Sequence, residues 1–245
     1  MGYVTTNELA RIDAVRRFDK FNFDLNKNLQ GILQMASYLF ETPVAFITLI
    51  DENEQIFKVN RGFEVLRMPR ETSFCTHTIM HESTMVVNDA LTDERFKSAP
   101  LVANPPNIRF YAGAPLATID GQNIGTLCVM DTVVKEVSAE KKDLLDVLAK
   151  QVINIMELEV AYALINDKMR QIDERNTVLM DIAFIQSHEF RGPLTTIMGL
   201  MNIIKDQDYQ SPRDYLLMME DAVQKLDDKI HMVVKSTELI RSNYI

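Results

Sequence analysis

The chain has 245 residues, of which 47% are hydrophobic, and its formal net charge is −9 at pH 7. This negative balance argues against nonspecific nucleic-acid binding, which needs a basic surface to attract phosphates. The longest apolar runs, such as residues 44–50, are far shorter than the roughly 20 residues of a membrane-spanning helix. Two cysteines are too few for a disulfide framework. We expect a cytoplasmic protein of about two domains, with no membrane span and no nucleic-acid partner.

The first pattern in the chain is helical and covers about residues 7–40. Its apolar residues recur three or four positions apart, as along one face of a helix, and they are Leu25, Leu29, Ile32, Leu33, Ala36, Leu39 and Phe40. A proline cannot continue a helix, so the Thr42-Pro43 pair ends this pattern. We therefore expect an amphipathic helix before the first strand.

Strand patterns follow. Residues 44–50 form a short run of β-favouring residues, residues 55–60 alternate between apolar and polar, and the Arg61-Gly62 pair turns the chain. Residues 85–87 form a further short strand. These runs predict neighbouring strands of one sheet.

A hairpin is predicted near residue 120. Two apolar runs, residues 108–118 and 124–130, flank an Asp120-Gly121 pair, and glycine tolerates the positive φ of tight hairpin turns. The segment before the hairpin, residues 89–107, carries three prolines and mixed charge. We expect it to form a long loop or short helices over one face of the sheet.

The C-terminal part predicts a helical hairpin that begins after Ser138, a plausible N-cap. Seven-residue spacing marks an apolar seam, formed by Ile165, Met169, Ile172, Asn176, Leu179 and Ala183. Residues 207–212 interrupt the helix, and a second helix follows with apolar residues Leu216, Met219, Val223, Leu226, Ile230 and Val233. Two copies pairing as a four-helix bundle would cover the seam. The alternative is a seam folded back on the first domain of the same chain.

A short motif in the first of these helices breaks local helix rules. An interior proline such as Pro193 costs roughly 3 kcal/mol or more, and Gly192 beside it adds about 1 kcal/mol. Broken local rules next to the ionisable pair His188 and Glu189 indicate a functional site on a bent helix. If the seven-residue spacing of the seam is continued along this helix, His188 falls on the side that faces away from the seam, where another protein can reach it.

Residues 187–194 read Ser-His-Glu-Phe-Arg-Gly-Pro-Leu and closely resemble the H-box of sensor histidine kinases, usually Ser-His-Glu-Leu-Arg-Thr-Pro-Leu. Residues 180–185 are similar to the segment that precedes this box, and the resemblance covers about residues 165–241. It implies a dimerisation and phospho-acceptor domain of the HisKA type. His188 would then accept the γ-phosphate of ATP and pass it to an aspartate of a response-regulator receiver. Glu189 would orient the ring and take its proton.

The chain departs from this family in two ways. Gly192 stands where the family usually has Thr or Asn, a side chain associated with dephosphorylation of the regulator, so we do not expect phosphatase activity. The glycine-rich segments of the family's ATP-binding domain are not found, and Gly199 is the last glycine. We therefore expect no cofactor in this chain, with ATP supplied only by a separate or missing catalytic domain.

Two interpretations of the hairpin stay open. In the first, the chain is a phosphotransfer protein or a fragment of a longer kinase, phosphorylated in trans. In the second, it is a non-catalytic adaptor that dimerises with other kinases and modulates them, and His188 is vestigial. A small-molecule enzyme on the first domain has little support, since no nucleophile–base pair stands out there.

The first domain resembles a GAF domain in the order of its elements and in residues 73–75, 87–90, 108–116 and 124–131. This resemblance covers about residues 20–160. It implies an α+β fold in which flanking helices pack on an antiparallel sheet of about six strands, with a sensory pocket whose ligand the fold does not identify. The predicted organisation is an N-terminal helical segment at 1–19, a GAF-like sensor at 20–160 and a signalling helix with the phospho-acceptor hairpin at 161–245.

Three residues of this domain have the spacing of a candidate metal site. On a helix, His77 and His81 would share a face, with Cys75 close by, and this set could hold a soft or borderline metal. Cys75 could instead anchor a bilin through a thioether. Because zinc sites usually have four ligands and no phytochrome-type context is evident, we favour ordinary residues in a partly buried loop and expect no metal.

Overall fold

The computed structural model describes residues 8–23, 26–210 and 212–242. The chain divides into two compact units, Met1–Leu164 and Ile165–Ile245. Within the described ranges, no helix has both the length and the apolar character that a membrane crossing requires.

Six strands of the first unit form one antiparallel sheet. They are β1 (Val44–Ile50), β2 (Glu54–Arg61), β3 (Arg67–Pro69), β4 (Met85–Val87), β5 (Phe110–Ala117) and β6 (Asn123–Asp131). Their order across the sheet is β3-β2-β1-β6-β5-β4. The helices are α1 (Glu8–Asp19), α2 (Lys27–Phe40), α3 (Phe74–Thr78), α4 (Pro100–Ala103), α5 (Ala139–Asp206) and α6 (Arg213–Ser242). The predicted α+β fold, an antiparallel sheet with flanking helices followed by a long helix and a second helix, is confirmed.

The prediction of helix over residues 7–40 is wrong in its middle, because α1 ends at Asp19 and α2 begins at Lys27. Asn26 is the N-cap of α2, and its side-chain oxygen accepts hydrogen bonds from the amides of Asn28 and Leu29 at 3.0 and 3.1 Å. A side chain that satisfies the first free amides of a helix favours a helix start at that position. Residues 7 and 24–25, which belong to the predicted helix, lie outside the described residues.

Most strand predictions are confirmed. β1 and β4 match residues 44–50 and 85–87, and β2 extends the predicted 55–60 segment by one residue at each end. The edge strand β3 was not predicted. It has only three residues, and its partners in β2 are Glu54, Gln55 and Ile56, so its extended form depends on pairing rather than on its own pattern.

The predicted hairpin at Asp120-Gly121 joins β5 to β6. Gly121 has a φ of 77°, in the left-handed region that favours glycine, and its amide donates to the carbonyl of Thr118 at 2.8 Å. The predicted loop over residues 89–107 contains α4 as its one described helix.

Each face of the sheet covers its own hydrophobic core, since alternate strand residues point to opposite faces. The first core lies under α1, α2 and the start of α5, and includes Leu33 and Val152. The second lies under α3 and the loops around α4, and includes Phe46 and Phe74. In β6, Leu127 and Val129 belong to the first core, whereas Cys128 and Met130 belong to the second.

Helix α5 begins where the sequence predicted. The hydroxyl of Ser138 accepts a hydrogen bond from the amide of Lys141 at 3.3 Å, as expected of an N-cap. The helix then continues without interruption through Gly192 and Pro193 to Asp206. Pro193 cannot donate to the carbonyl of Glu189. The bend that we expect at this point stays a prediction.

The second unit contains the end of α5 and all of α6. Its buried apolar residues, within the side chains described, are Leu200, Ile204 and Ala222. After α5, Asp208 and Tyr209 adopt positive φ values of 51° and 61° in the predicted interruption. The predicted helical hairpin is present, and its pairing with a second copy stays a prediction.

Candidate functional site

His188 lies on the solvent-exposed surface of α5, and its position facing away from the seam of the proposed dimer stays a prediction. Its ring packs beside Phe184, one helical turn earlier, with 5.5 Å between the ring centroids. An exposed imidazole on a helix can reach a group carried by another protein, and neutral imidazole is a nucleophile near physiological pH. The side chain of Gln186, which the extension of the seam used together with Ala183 and Phe190, lies outside the described residues.

Glu189 forms an ion pair that the sequence analysis missed. Its carboxylate accepts a hydrogen bond from the ammonium group of Lys229 on α6 at 2.8 Å. The residues are 40 positions apart, so only the pairing of α5 with α6 brings them together. The carboxylate predicted to orient His188 is therefore bonded to the second helix in this structure. Both side chains remain partly exposed, which limits the stability that the pair contributes.

The seam on α5 is largely solvent-exposed. Among its members, Ile165 is 56% exposed, Ile172 is 54% exposed and Leu179 is 58% exposed. On α6, Leu216, Val223 and Ile230 are also exposed. Large apolar side chains at regular helical spacing on an exposed surface are typical of a face that packs against another helix.

A cavity of about 310 Å³ lies in the first unit, between the second face of the sheet and the loops that cover it. Its lining is mostly apolar, with Pro43, Val44, Phe46, Phe57, Phe63, Val65, Met68, Leu101, Pro106, Ile108 and Met130. Asp131 and Thr132 also line it, but the surface that faces the cavity is entirely apolar. The Asp131 carboxylate already accepts from the amide of Thr132 at 2.7 Å and lies 3.3 Å from Lys135.

This cavity has the size and lining of a site for a small, mainly apolar molecule. The sequence analysis placed a sensory pocket between sheet and loops but named none of its residues. Phe46, Phe57 and Met130 could have been found from strand alternation, because they share the second face. Phe63 could not have been found in this way, because it lies in the loop between β2 and β3, where residues do not alternate between two faces.

The spacing of Cys75, His77 and His81 does not produce one helical face. Helix α3 ends at Thr78, so His81 lies beyond it. Cys75 is fully buried, with its sulfur 3.7 Å from that of Cys128. The His77 ring contacts Phe96 edge-on at 4.8 Å, and desolvation followed by the charge of Arg95 lowers the pKa of this imidazole. Within the described residues, no three metal-binding side chains group together.

The model of the GAF domain family matches residues 24–156. A segment of 102 residues is 44% identical to a cyclic di-GMP phosphodiesterase of Pseudomonas aeruginosa, and it covers 42% of this chain and 17% of that enzyme. The chain thus spans about a sixth of the curated relative that it matches.

Two solved structures are also similar. The GAF domain of an Acinetobacter phosphoenolpyruvate-protein phosphotransferase has a TM-score of 0.47 and 15% identity, and covers 66% of this chain and 99% of that one. A domain of a protein named as a two-component sensor histidine kinase from Sinorhizobium meliloti has a TM-score of 0.43 and 16% identity, and covers 57% of this chain and 96% of that one. Because the family model spans more than half of the residues, the chain belongs to the GAF domain family.

Proposed function

We propose that this protein is a cytoplasmic two-component signalling protein in which a GAF sensor controls a HisKA-type phospho-acceptor hairpin. GAF domains are common sensory domains of signalling proteins, some histidine kinases among them. The observation that carries the proposal is His188, an exposed imidazole within a segment that resembles the H-box. The aligned part of the phosphodiesterase is 17% of that enzyme, so its activity is not part of the proposal.

In the proposed reaction, a nitrogen of the His188 ring attacks the γ-phosphorus of ATP held by a separate catalytic domain. The bond to the β-phosphate oxygen breaks, ADP leaves, and the ring proton passes to a nearby base. The phosphoryl group then transfers from the ring to an aspartate of a response-regulator receiver. Glu189 is the base that the resemblance implies. To act, its carboxylate must leave Lys229, to which it is bonded at 2.8 Å.

Homodimerisation is the second part of the proposal. The exposed seam on α5 and the exposed apolar residues of α6 support it, because two copies could bury both faces in a four-helix bundle. In such a bundle, Asn176 within the seam would favour one register at some cost in stability.

The cavity of the first unit is the proposed sensory pocket. Helix α5 packs on the sheet of this unit through residues such as Leu145, Val152 and Met156 and continues as one helix to the His188 segment. A ligand in the cavity could bind the protein more tightly when the seam is packed in one of two ways, and it would then increase the fraction of molecules with that packing. This change would alter how often His188 is presented to its partners. The apolar lining favours a small ligand with few charges.

The test is phosphorylation in trans by a histidine kinase that retains its ATP-binding domain but lacks its own acceptor histidine. We expect acid-labile, base-stable phosphate on the wild-type chain and none on His188→Ala. His231→Ala is the matched control, because His231 is also an exposed imidazole, on α6. Its phosphate should equal that of the wild type. Acid-labile phosphate that survives His188→Ala would contradict the proposal.

The Glu189–Lys229 pair favours the adaptor as a second candidate function, since the carboxylate of the proposed base is already bonded to Lys229. If the hairpin only dimerises with other kinases, His188→Gln should leave signalling intact. Leu226→Asp should abolish it, because a buried charge would disrupt the helix interface. Loss of signalling in His188→Gln would exclude the adaptor.

A further inference from the structure

Two thiols meet in the second core of the first unit. Cys75 lies on α3 and Cys128 on β6, and their sulfur atoms are 3.7 Å apart. Both side chains are fully buried and both thiols are free. A disulfide has a sulfur–sulfur distance of about 2.05 Å, so a closure of roughly 1.7 Å would join them.

Hydrogen-bond donors surround the sulfur of Cys75. The amide nitrogen of Gln55 donates to it at 3.4 Å and the hydroxyl of Tyr111 at 3.5 Å. Each donor is itself held: Gln55 accepts a bond from the hydroxyl of Ser73, and the Tyr111 hydroxyl lies 2.7 Å from that of Thr78. Donors directed at a sulfur stabilise its thiolate, which is the nucleophilic form.

The two thiols titrate differently. Burial raises the pKa of each, but at Cys75 hydrogen bonds from Cys128, Thr126 and Tyr111 outweigh burial and bring the pKa below its ordinary value. At Cys128, burial followed by the adjacent Cys75 raises the pKa well above the ordinary value. The donors from Gln55 and Tyr111 that reach Cys75 favour this sulfur as the thiolate.

Gly113 makes this arrangement sterically possible. Tyr111 and Gly113 lie two residues apart on β5, so they share a face of the sheet. A Cβ atom at position 113 would collide with the Tyr111 hydroxyl. The missing side chain leaves the space in which that hydroxyl reaches Cys75.

The thiol pair lies next to the cavity. Phe46 lines the cavity and is the cross-strand partner of Cys128 in the register of β1 and β6. Met130 also lines the cavity and is two residues from Cys128 on the same face of β6. A small oxidant in the cavity would therefore reach the thiols only when the wall side chains Phe46 and Met130 move aside.

We propose that Cys75 and Cys128 are a redox pair that a hydroperoxide oxidises to an intramolecular disulfide. The Cys75 thiolate attacks the terminal oxygen of the hydroperoxide, the oxygen–oxygen bond breaks, and the leaving alkoxide takes a proton to become an alcohol. Cys128 loses its proton and attacks the resulting sulfenic sulfur, and hydroxide leaves with that proton as water. In total, two thiols and one alkyl hydroperoxide yield one disulfide, one alcohol and one water, and with hydrogen peroxide the alcohol is replaced by a second water. This inference does not depend on the role of His188.

In the test, the reduced 245-residue chain is treated with excess hydrogen peroxide, the peroxide is removed with catalase, and the remaining thiols are alkylated with N-ethylmaleimide under denaturing conditions. The reduced protein carries two maleimide groups after alkylation, and intact-mass measurement should find neither of them after oxidation. Treatment with dithiothreitol before alkylation should restore both. Peroxide also adds oxygen to methionine, but this does not change the number of maleimide groups. Peptide mapping should find Cys75 linked to Cys128 within one chain.

Two variants identify the attacking sulfur. In Cys128→Ser, dimedone should label Cys75 as a sulfenic acid, whereas in Cys75→Ser, Cys128 should keep its maleimide addition. Tyr111→Phe should slow oxidation of the pair, because it removes one donor to the Cys75 sulfur. The proposal is overturned if wild-type protein keeps both maleimide additions after peroxide, if the disulfide joins separate chains, or if dimedone labels Cys128 first. The wild-type result decides the matter even where a variant does not fold.

Discussion

The first unit and the helical hairpin of the second unit are stabilised in different ways. In the first unit both faces of the sheet are covered, and residues such as Leu33 and Val152 are fully buried in one chain. In the described part of the hairpin the buried apolar residues are Leu200, Ile204 and Ala222, and the seam remains exposed. The first unit buries its hydrophobic residues within one chain, whereas the second leaves its seam exposed, and the proposed homodimer would cover it. The predictions below test this difference.

The largest effect should come from a charge placed in the seam. Ile172→Asp would bury two like charges in the proposed homodimer, and we expect it to weaken association by about 3–5 kcal/mol. Thr177→Asp adds the same charge beside the seam, on an exposed position, and should leave association unchanged. Sedimentation equilibrium of both variants and of the wild type would measure the effect. Equal association of all three would refute dimerisation through the seam.

Truncation of a side chain in the first core of the first unit should instead lower the stability of the folded chain. Leu33→Ala removes a fully buried side chain from the first core, and we expect the free energy of unfolding to fall by about 2–5 kcal/mol. Ile119 is 94% exposed in the β5–β6 turn, so Ile119→Ala should change this free energy by less than about 0.5 kcal/mol. Urea unfolding followed by circular dichroism would compare them. A similar loss in both variants would show that burial does not determine stability here.

Substitution by alanine should change the free energy of unfolding in opposite directions at two glycines of the first unit. Gly113→Ala would force Tyr111 to move and should cost about 1–3 kcal/mol of unfolding free energy. Gly31 lies inside α2, and a Cβ atom there meets open space. Gly31→Ala should therefore stabilise the protein by up to about 1 kcal/mol through helix propensity. Thermal unfolding would distinguish the two, and a stable Gly113→Ala would contradict the close packing of Tyr111.

The smallest effect concerns pH. Desolvation, followed by the charge of Arg95, holds the pKa of His77 below its unfolded value of about 6.5. As pH falls below that value, the unfolded chain binds a proton before the folded one does, so stability declines until the folded pKa is passed. His77→Gln should reduce the decline of the free energy of unfolding as pH falls below about 6.5. Above pH 7 the dependence of this free energy on pH should stay the same as in the wild type. Denaturant titrations across this range would measure the slope, and an identical slope in both proteins would contradict the prediction.

The sequence predicted elements with a strong local pattern. The β1 run, the Asp120-Gly121 hairpin and the Ser138 cap depend on neighbouring residues, and each is present. Elements that depend on distant partners were missed. The edge strand β3 is extended because it pairs with β2.

The same distinction explains the sites. The outward position of His188 was predicted from helix periodicity, which is a local property, and it stays a prediction. The Glu189–Lys229 pair spans 40 residues and the contact of the two cysteines spans 53, and no local spacing indicates either. The cavity combines loops and several strands, so its residues could be identified only once the sheet order was known.

The most direct test of the central claim locates the phosphoryl group itself. After phosphorylation in trans, tandem mass spectrometry at neutral pH would map the modified residue within the peptide that carries Ser187 and His188. The account predicts phosphate on the imidazole of His188 and its loss to a receiver domain on mixing. Phosphate on Ser187 or on another residue, with His188 unmodified, would contradict it.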